Sequence, residues 1–191
     1  MKKLILSMQM SLDGFIVGEN GDSSWMNTDD PEDWTDLFEM LETVDLIVLG
    51  RVMWPDYSTY WKKALTSSTV SANEVKYARI AEKIQHIIFS KTIKHPEWTN
   101  AKIESGNVVE EVKKLKQLPG KDIVTFGGAM FARTLIDAGL VDEYRLYIVS
   151  AIVTKGKSFF DGLTKKSTLE LTDVKKLKSG MIIVRYRDIS K

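Results

Sequence analysis

Leu4, Leu6, Met8 and Met10 alternate with Ile5, Ser7, Gln9 and Ser11, a period of two that predicts a strand with one apolar and one partly polar face. Asp13-Gly14 breaks the run, Phe15-Ile16-Val17 resumes an extended stretch, and Gly18 to Gly21 reads as a turn-rich loop. The period then changes. Trp34, Leu37, Phe38 and Leu41 recur at helical intervals behind Asp29-Asp30-Pro31, with Asp30 as N-cap and Pro31 at the first helical position. Asp45 to Gly50 (DLIVLG) is a second buried strand. Asn73 to Lys83 carries Val75, Ala78, Ile80 and Ala81 in a partly helical pattern, followed by an apolar strand from His86 to Phe89 and a turn at Lys94-His95-Pro96. Val108, Val109, Val112, Leu115 and Leu118 predict a helix that Pro119-Gly120 ends. Next come a buried run at Ile123 to Phe126, the pair Gly127-Gly128, a helix-length segment and a second strand-like run from Tyr144 to Val149. A polar loop at Thr154 to Lys157 precedes strands at Leu169 to Val174 and Met181 to Tyr186, joined through a hairpin turn at Lys178-Ser179-Gly180.

Strands alternating with helices as far as Phe126 predict an α/β fold with a largely parallel sheet, and the short turn near the end predicts an antiparallel edge. The expected architecture is three-layered, a mixed sheet between helices, as a single domain over 1–191. Ligands in such sheets favour the carboxyl ends of the strands. Those ends hold Ser11 to Gly14, Gly50-Arg51, Ser90-Lys91 and Gly127-Gly128. Two adjacent glycines at a strand-to-helix junction let backbone N–H groups approach a ligand, and the following helix directs its positive end to the same point. A pyrophosphate would be favoured there, although an ordinary tight turn uses the same glycines. A guanidinium at Arg51, with Ser90 and Lys91 after the neighbouring strand, suits a further phosphate; as solvated loop residues they would need no ligand.

Composition narrows the function classes. With 27 basic and 26 acidic residues the net charge is +1, which gives no footprint for nucleic acid. No apolar stretch approaches membrane-spanning length, and the N-terminal run is too short and too polar for a signal peptide. No membrane partner and a cytoplasmic, reducing location are expected. The absence of cysteine removes disulfides, thiolate metal sites and a cysteine nucleophile. His86 and His95 are the only histidines and do not stand at helical ligand spacing, so no metal is expected.

Ser11-Leu12-Asp13-Gly14, Asp22-Ser23-Ser24-Trp25, Leu49-Gly50-Arg51, Phe89-Ser90-Lys91-Thr92, Phe126-Gly127-Gly128 and Asp142-Glu143-Tyr144 follow one another in an order that resembles the dihydrofolate reductase-like superfamily. The resemblance is closest to the branch of the riboflavin-biosynthesis reductase domain and its stand-alone relatives, and it covers nearly the whole chain. It implies a dihydrofolate reductase-like fold and hydride transfer from NADPH to a small flat substrate, pteridine- or pyrimidine-like, as in 5-amino-6-(5-phosphoribosylamino)uracil reductase. It places the pyrophosphate at Gly127 and Gly128, the 2′-phosphate side of the adenosine at Gly50, Arg51, Ser90 and Lys91, and Trp25 beside nicotinamide and substrate. A homodimer pairing through the C-terminal part of the sheet is also implied.

Two carboxylates are candidates for proton delivery. Asp13 lies at a strand end near the cleft, where an Asp-Gly turn would also place it. Asp56 resembles the acid of the riboflavin branch after the second strand, and it equally suits a cap at the start of a helix or turn. True dihydrofolate reductases carry an acid on the first helix. Here Glu32, Asp33, Asp36 and Glu39 alternate with Trp34 and Leu37 and read as a solvated acidic face. The aromatic-rich segment Trp54 to Trp61 could stack a flat substrate, close the core or form a subunit contact. A dinucleotide-binding sensor without turnover is the alternative to a reductase, and dihydrofolate reduction is a weaker one.

Overall fold

The computed structural model describes residues 1–26 and 30–190; Asp29, expected in front of the first helix, lies outside them. Ten strands and five α-helices follow in order: β1 (Leu4–Ser11), β2 (Phe15–Gly18), α1 (Thr35–Glu42), β3 (Val44–Gly50), α2 (Trp54–Ala64), α3 (Ala72–Ala81), β4 (Gln85–Phe89), β5 (Ala101–Glu104), α4 (Val108–Gln117), β6 (Asp122–Thr125), α5 (Ala129–Asp137), β7 (Glu143–Val149), β8 (Gly156–Ser158), β9 (Leu169–Lys176) and β10 (Ile182–Asp188). Eight strands form one sheet in the order β5-β4-β3-β6-β1-β7-β10-β9. The strands from β5 to β7 run parallel, while β10 is antiparallel to both β7 and β9. This is the predicted mixed α/β sheet with an antiparallel C-terminal edge, and the parallel strand ends meet along one edge.

The alternation in β1 puts its residues into two different cores. Leu4, Leu6, Met8 and Met10 pack with Val112 of α4 and with Phe131, Ala132 and Leu135 of α5. Ile5 joins the opposite layer with Met40 of α1, Trp54 and Tyr57 of α2 and Tyr77 of α3. The partly polar face is not solvated: Ser7 and Ser11 are buried, because helices cover both faces of the sheet.

Helix starts follow local chemistry. The Asp30 side chain accepts from the Glu32 N–H with Pro31 at the first position, as predicted, and the chain then makes one 3₁₀ turn, Pro31–Trp34, before α1. Ser71 and Glu74 form a reciprocal capping box at α3, and Asn107 accepts from Val109 and Glu110 at α4. At Gly128 no side chain caps α5.

Two segments acquire regular structure that the sequence does not assign them. The aromatic segment is α2, with Trp54 and Tyr57 buried against His86, Tyr77 and Trp98, so this part closes the core, one of the three expected roles, while Tyr60 is exposed. Inside that core the Tyr57 hydroxyl lies 2.9 Å from that of Tyr77 and 3.2 Å from Nε2 of His86, whose Nδ1 lies 2.9 Å from the Ile84 carbonyl. The polar loop at Thr154 to Lys157 contains the start of β8, which pairs antiparallel with β2 in a second, two-stranded sheet.

Candidate functional site

The carboxyl edge brings the glycine turn and both cationic loops together. The Arg51 N–H donates to the Phe89 carbonyl at 3.1 Å, joining the ends of β3 and β4. Gly50 sits under α5: a Cβ there would stand 2.8 Å from Cβ of Phe131. At Gly127, φ +105° is the conformation that favours glycine, and a Cβ there would also displace the flexible end of Met8, whose Cε lies 2.2 Å away. Gly128, φ +78°, has no atom nearer than 3.8 Å to its Cβ position and opens the first turn of α5. Arg51 and Lys91 are exposed on the neighbouring loops. Ser90 is buried, its Oγ accepting from the Thr92 and Ile93 N–H groups at 3.1 and 2.9 Å. An anion at Gly128 would meet unblocked N–H groups and the positive end of α5, with cations close by.

Trp25 lies on the other side, over β1 and β7. It is half-buried against a small cluster of Tyr147, Val149, Leu177, Met181 and Ile183, and Gln9 Nε2 donates to the adjacent Met26 carbonyl at 2.8 Å. Trp34, Trp54, Trp61 and Trp98 belong instead to the α2–α3 core, which sets Trp25 apart from the other tryptophans.

Of the four acids expected to form a solvated face, Glu39 is exposed, but Asp33 and Asp36 are not solvated. Asp33 is 7% and Asp36 2% exposed. Asp36 is held by Arg185, by the Tyr147 hydroxyl at 2.9 Å and by Arg145 at 3.5 Å. Burial alone would raise its carboxyl; the hydrogen bonds from Arg185 and Tyr147 and the Arg145 charge outweigh burial and lower it. Asp33 accepts from the Ser179 hydroxyl at 2.7 Å through Oδ1, while its buried Oδ2 has no partner among the described residues. Ser179 lies in the hairpin turn between Leu177 and Met181, which pack in the Trp25 cluster, so Asp33 and Trp25 border the same region. The sequence did carry a signal: positions 33, 36 and 40 form one helical stripe that ends in the fully buried Met40.

Asp56 is exposed in the first turn of α2, away from this region, where a carboxylate favours the helix start. Asp13 accepts from the Ser11 hydroxyl at 2.6 Å and from the backbone of Val153 and Thr154. The Ser11 bond, with smaller help from those amides, holds its carboxyl down to about 2. A group so firmly ionised does not donate protons near neutrality, and its partners are those of a loop staple. His86 is enclosed by aromatic rings, and no cluster of metal-binding side chains occurs among the described residues. Nor is any described helix long and apolar enough to cross a membrane.

Comparison with known proteins agrees with this architecture. The chain is similar over 97% of its length, at 32% identity, to the protein YyaP of Bacillus subtilis (strain 168), 94% of which is covered. A crystal structure of a putative riboflavin biosynthesis protein from Shewanella sp. PV-4 superimposes with a TM-score of 0.76 at 16% identity, over 98% of this chain and 99% of that one. A diaminohydroxyphosphoribosylaminopyrimidine deaminase/5-amino-6-(5-phosphoribosylamino)uracil reductase from Thermotoga maritima matches with a TM-score of 0.70 at 16% identity, over 98% of this chain and 56% of that longer one. At such identities the two structures establish a common fold. The model of the RibD C-terminal domain matches residues 2–183, and the chain belongs to that family.

Proposed function

We propose that the protein is an NADPH-dependent reductase of a small flat substrate, pteridine- or pyrimidine-like. The observation that carries the reading is the Gly128 end of α5, open and uncapped by any side chain, on the same sheet edge as Arg51, Ser90 and Lys91. Gly128 and the first-turn N–H groups of α5 would hold the pyrophosphate, and Gly50, Arg51, Ser90 and Lys91 the 2′-phosphate side. NADPH, when bound, supplies the hydride. The chain contributes orientation, with Trp25 against the flat ring and the free Oδ2 of Asp33 facing a substrate N–H or carrying the proton that completes the reduction. Asp33 replaces Asp13 and Asp56 as the proposed proton carrier because it alone of the three is buried with an unshared oxygen. A buried acid with an unshared oxygen favours the reductase reading over the sensor.

Calorimetry with NADPH tests the cofactor half. Gly128→Asp should abolish binding, while Gly128→Ala, which shares the backbone strain of a positive φ without the charge, should retain part of it. Undiminished affinity in Gly128→Asp would overturn the assignment. NADPH oxidation with a panel of pterins, including dihydrofolate, pyrimidine ribitol precursors and quinones tests turnover. Asp33→Asn should leave NADPH binding intact and slow the responsive reaction by about 10²-fold or more. Binding without oxidation by any member would favour the sensor.

The homodimer is also our proposal. Leu171, Val174 and Ile182 are exposed on β9 and β10, an apolar patch that the helices of the α4–α5 layer leave uncovered.

A further inference from the structure

The loop after β1 and the longer loop after β7 are zipped together, and the zip is interrupted at one point. Leu12 N–H donates to the Ala151 carbonyl at 2.9 Å, Phe159 N–H to the Gly14 carbonyl at 2.8 Å, and β2 then pairs with β8. Between Ala151 and Phe159 the second loop bulges away from 12–14, running out as far as Gly18 and returning as β8 along β2. The bulge turns two N–H groups inward, Val153 and Thr154, and the Asp13 carboxylate receives both, Thr154 at 2.8 Å. Buried Ser11 fixes the carboxylate in turn, donating its hydroxyl to Asp13 at 2.6 Å and accepting the Phe15 N–H at 2.9 Å.

The bulge carries backbone strain. Thr154 has φ +67°, a left-handed conformation that a β-branched residue rarely adopts. A strained residue persists only where its surroundings over-determine it. Here two bonds bracket it, from its own N–H to Asp13 and from the Lys155 N–H to the Val153 carbonyl at 2.8 Å, and only the first ties it to the other loop. The bulge also borders the proposed ligand region: Ala151, two residues before Val153, packs in the cluster that seats Trp25.

We infer that Asp13 is a positioning residue: its carboxylate latches the two loops together, holds the strained Thr154 bulge, and so builds the wall that seats Trp25 before any ligand arrives. The link to Trp25 runs along the chain from Val153 to Ala151, which packs against the same cluster as Trp25. The part of Asp13 in positioning a substrate rests on the reductase reading above, whereas the latch is a property of the ligand-free chain.

The test is amide hydrogen exchange on ligand-free protein, with a 19F spectrum of 5-fluorotryptophan-labelled protein, the Trp25 line being assigned through Trp25→Phe. In Asp13→Ala the amides over 153–158 should exchange at least tenfold faster while those of β1 and β6 keep wild-type rates, and the Trp25 line should shift or broaden while the other tryptophan lines stay. Asp13→Asn, which keeps one carbonyl oxygen for the bulge, should fall between wild type and Asp13→Ala and keeps the test decisive if the alanine variant folds poorly. Unchanged exchange over 153–158, an unmoved Trp25 line, or equal loosening across β1 and β6 would each overturn the latch. Neither measurement uses NADPH, so failure of the latch and failure of the cofactor assignment are separate results.

Discussion

Acid should unfold this protein through His86. The imidazole is fully buried among Trp54, Tyr57 and Trp98, and burial holds it down to about 4, the bond toward the Ile84 carbonyl opposing only in part. The unfolded chain would bind the same proton near 6.5. Neutral histidine is therefore the native form. Its contribution is fully present above pH 6.5 and is lost as pH falls from 6.5 toward 4, where the unfolded state takes up a proton that the native state refuses. The difference corresponds to about 3 kcal/mol across that window, or about 1.4 kcal/mol per pH unit in its middle. Against a typical stability of about 5–15 kcal/mol, this single group is a large fraction. Urea unfolding at pH 7, 5.5 and 4.5 would measure it, with His86→Gln as a non-titrating comparison. The variant should be the less stable protein at pH 7, through lost ring packing, and the gap should narrow by about 3 kcal/mol toward pH 4. Parallel pH profiles for the two proteins, or an NMR titration of the His86 ring with a midpoint near 6.5, would refute the reasoning.

Other perturbations probe the frame around the site. Gly50→Ala places a Cβ 2.8 Å from Cβ of Phe131, atoms too near the backbone to swing aside, and should cost about 1–3 kcal/mol, read as a melting temperature lowered by roughly 3–10 °C; an unchanged melting curve would contradict the close approach. Asp36→Asn deprives Arg145 and Arg185 of their buried counter-charge and should destabilise by about 3 kcal/mol in chemical denaturation, with a loss under 0.5 kcal/mol counting against the network. Val174→Lys, at a residue 52% exposed on β9, should leave the monomer folded by circular dichroism and convert a dimer to a monomer in sedimentation; a wild-type monomer, or an unaffected dimer, would remove this patch from the interface.

What the sequence disclosed was whatever depends on near neighbours. The period of two in Leu4 to Ser11 locates β1 to the residue, and Asp30-Pro31 marks its helix start, because pleat and cap are local. The sheet type followed from the alternation of strands and helices. The role of charged side chains did not. Whether Asp36 is solvated depends on Arg185, 149 positions away, and what Asp13 does depends on Thr154, 141 positions away. The same holds for glycine: nothing near Gly127 in the sequence announces that Met8 fills the space beside it. The helix α2 was obscured by Pro55 in its first turn and by a density of aromatics that no single apolar stripe explains, and β5, of four residues, is too short to show a period.

The place of β1 in the sheet also dictates when the fold can assemble. Both its neighbours are late: β6 begins at Asp122 and β7 ends at Val149, so β1 has no ladder partner until more than a hundred further residues have been made. Its apolar face, Leu4 to Met10, must wait in an unpaired state that invites aggregation, and the pairing that finally covers it closes a loop of more than a hundred residues. β10, made after β9, enters between β7 and β9 rather than at the edge, so the sheet is completed by an insertion and not by an addition to its rim.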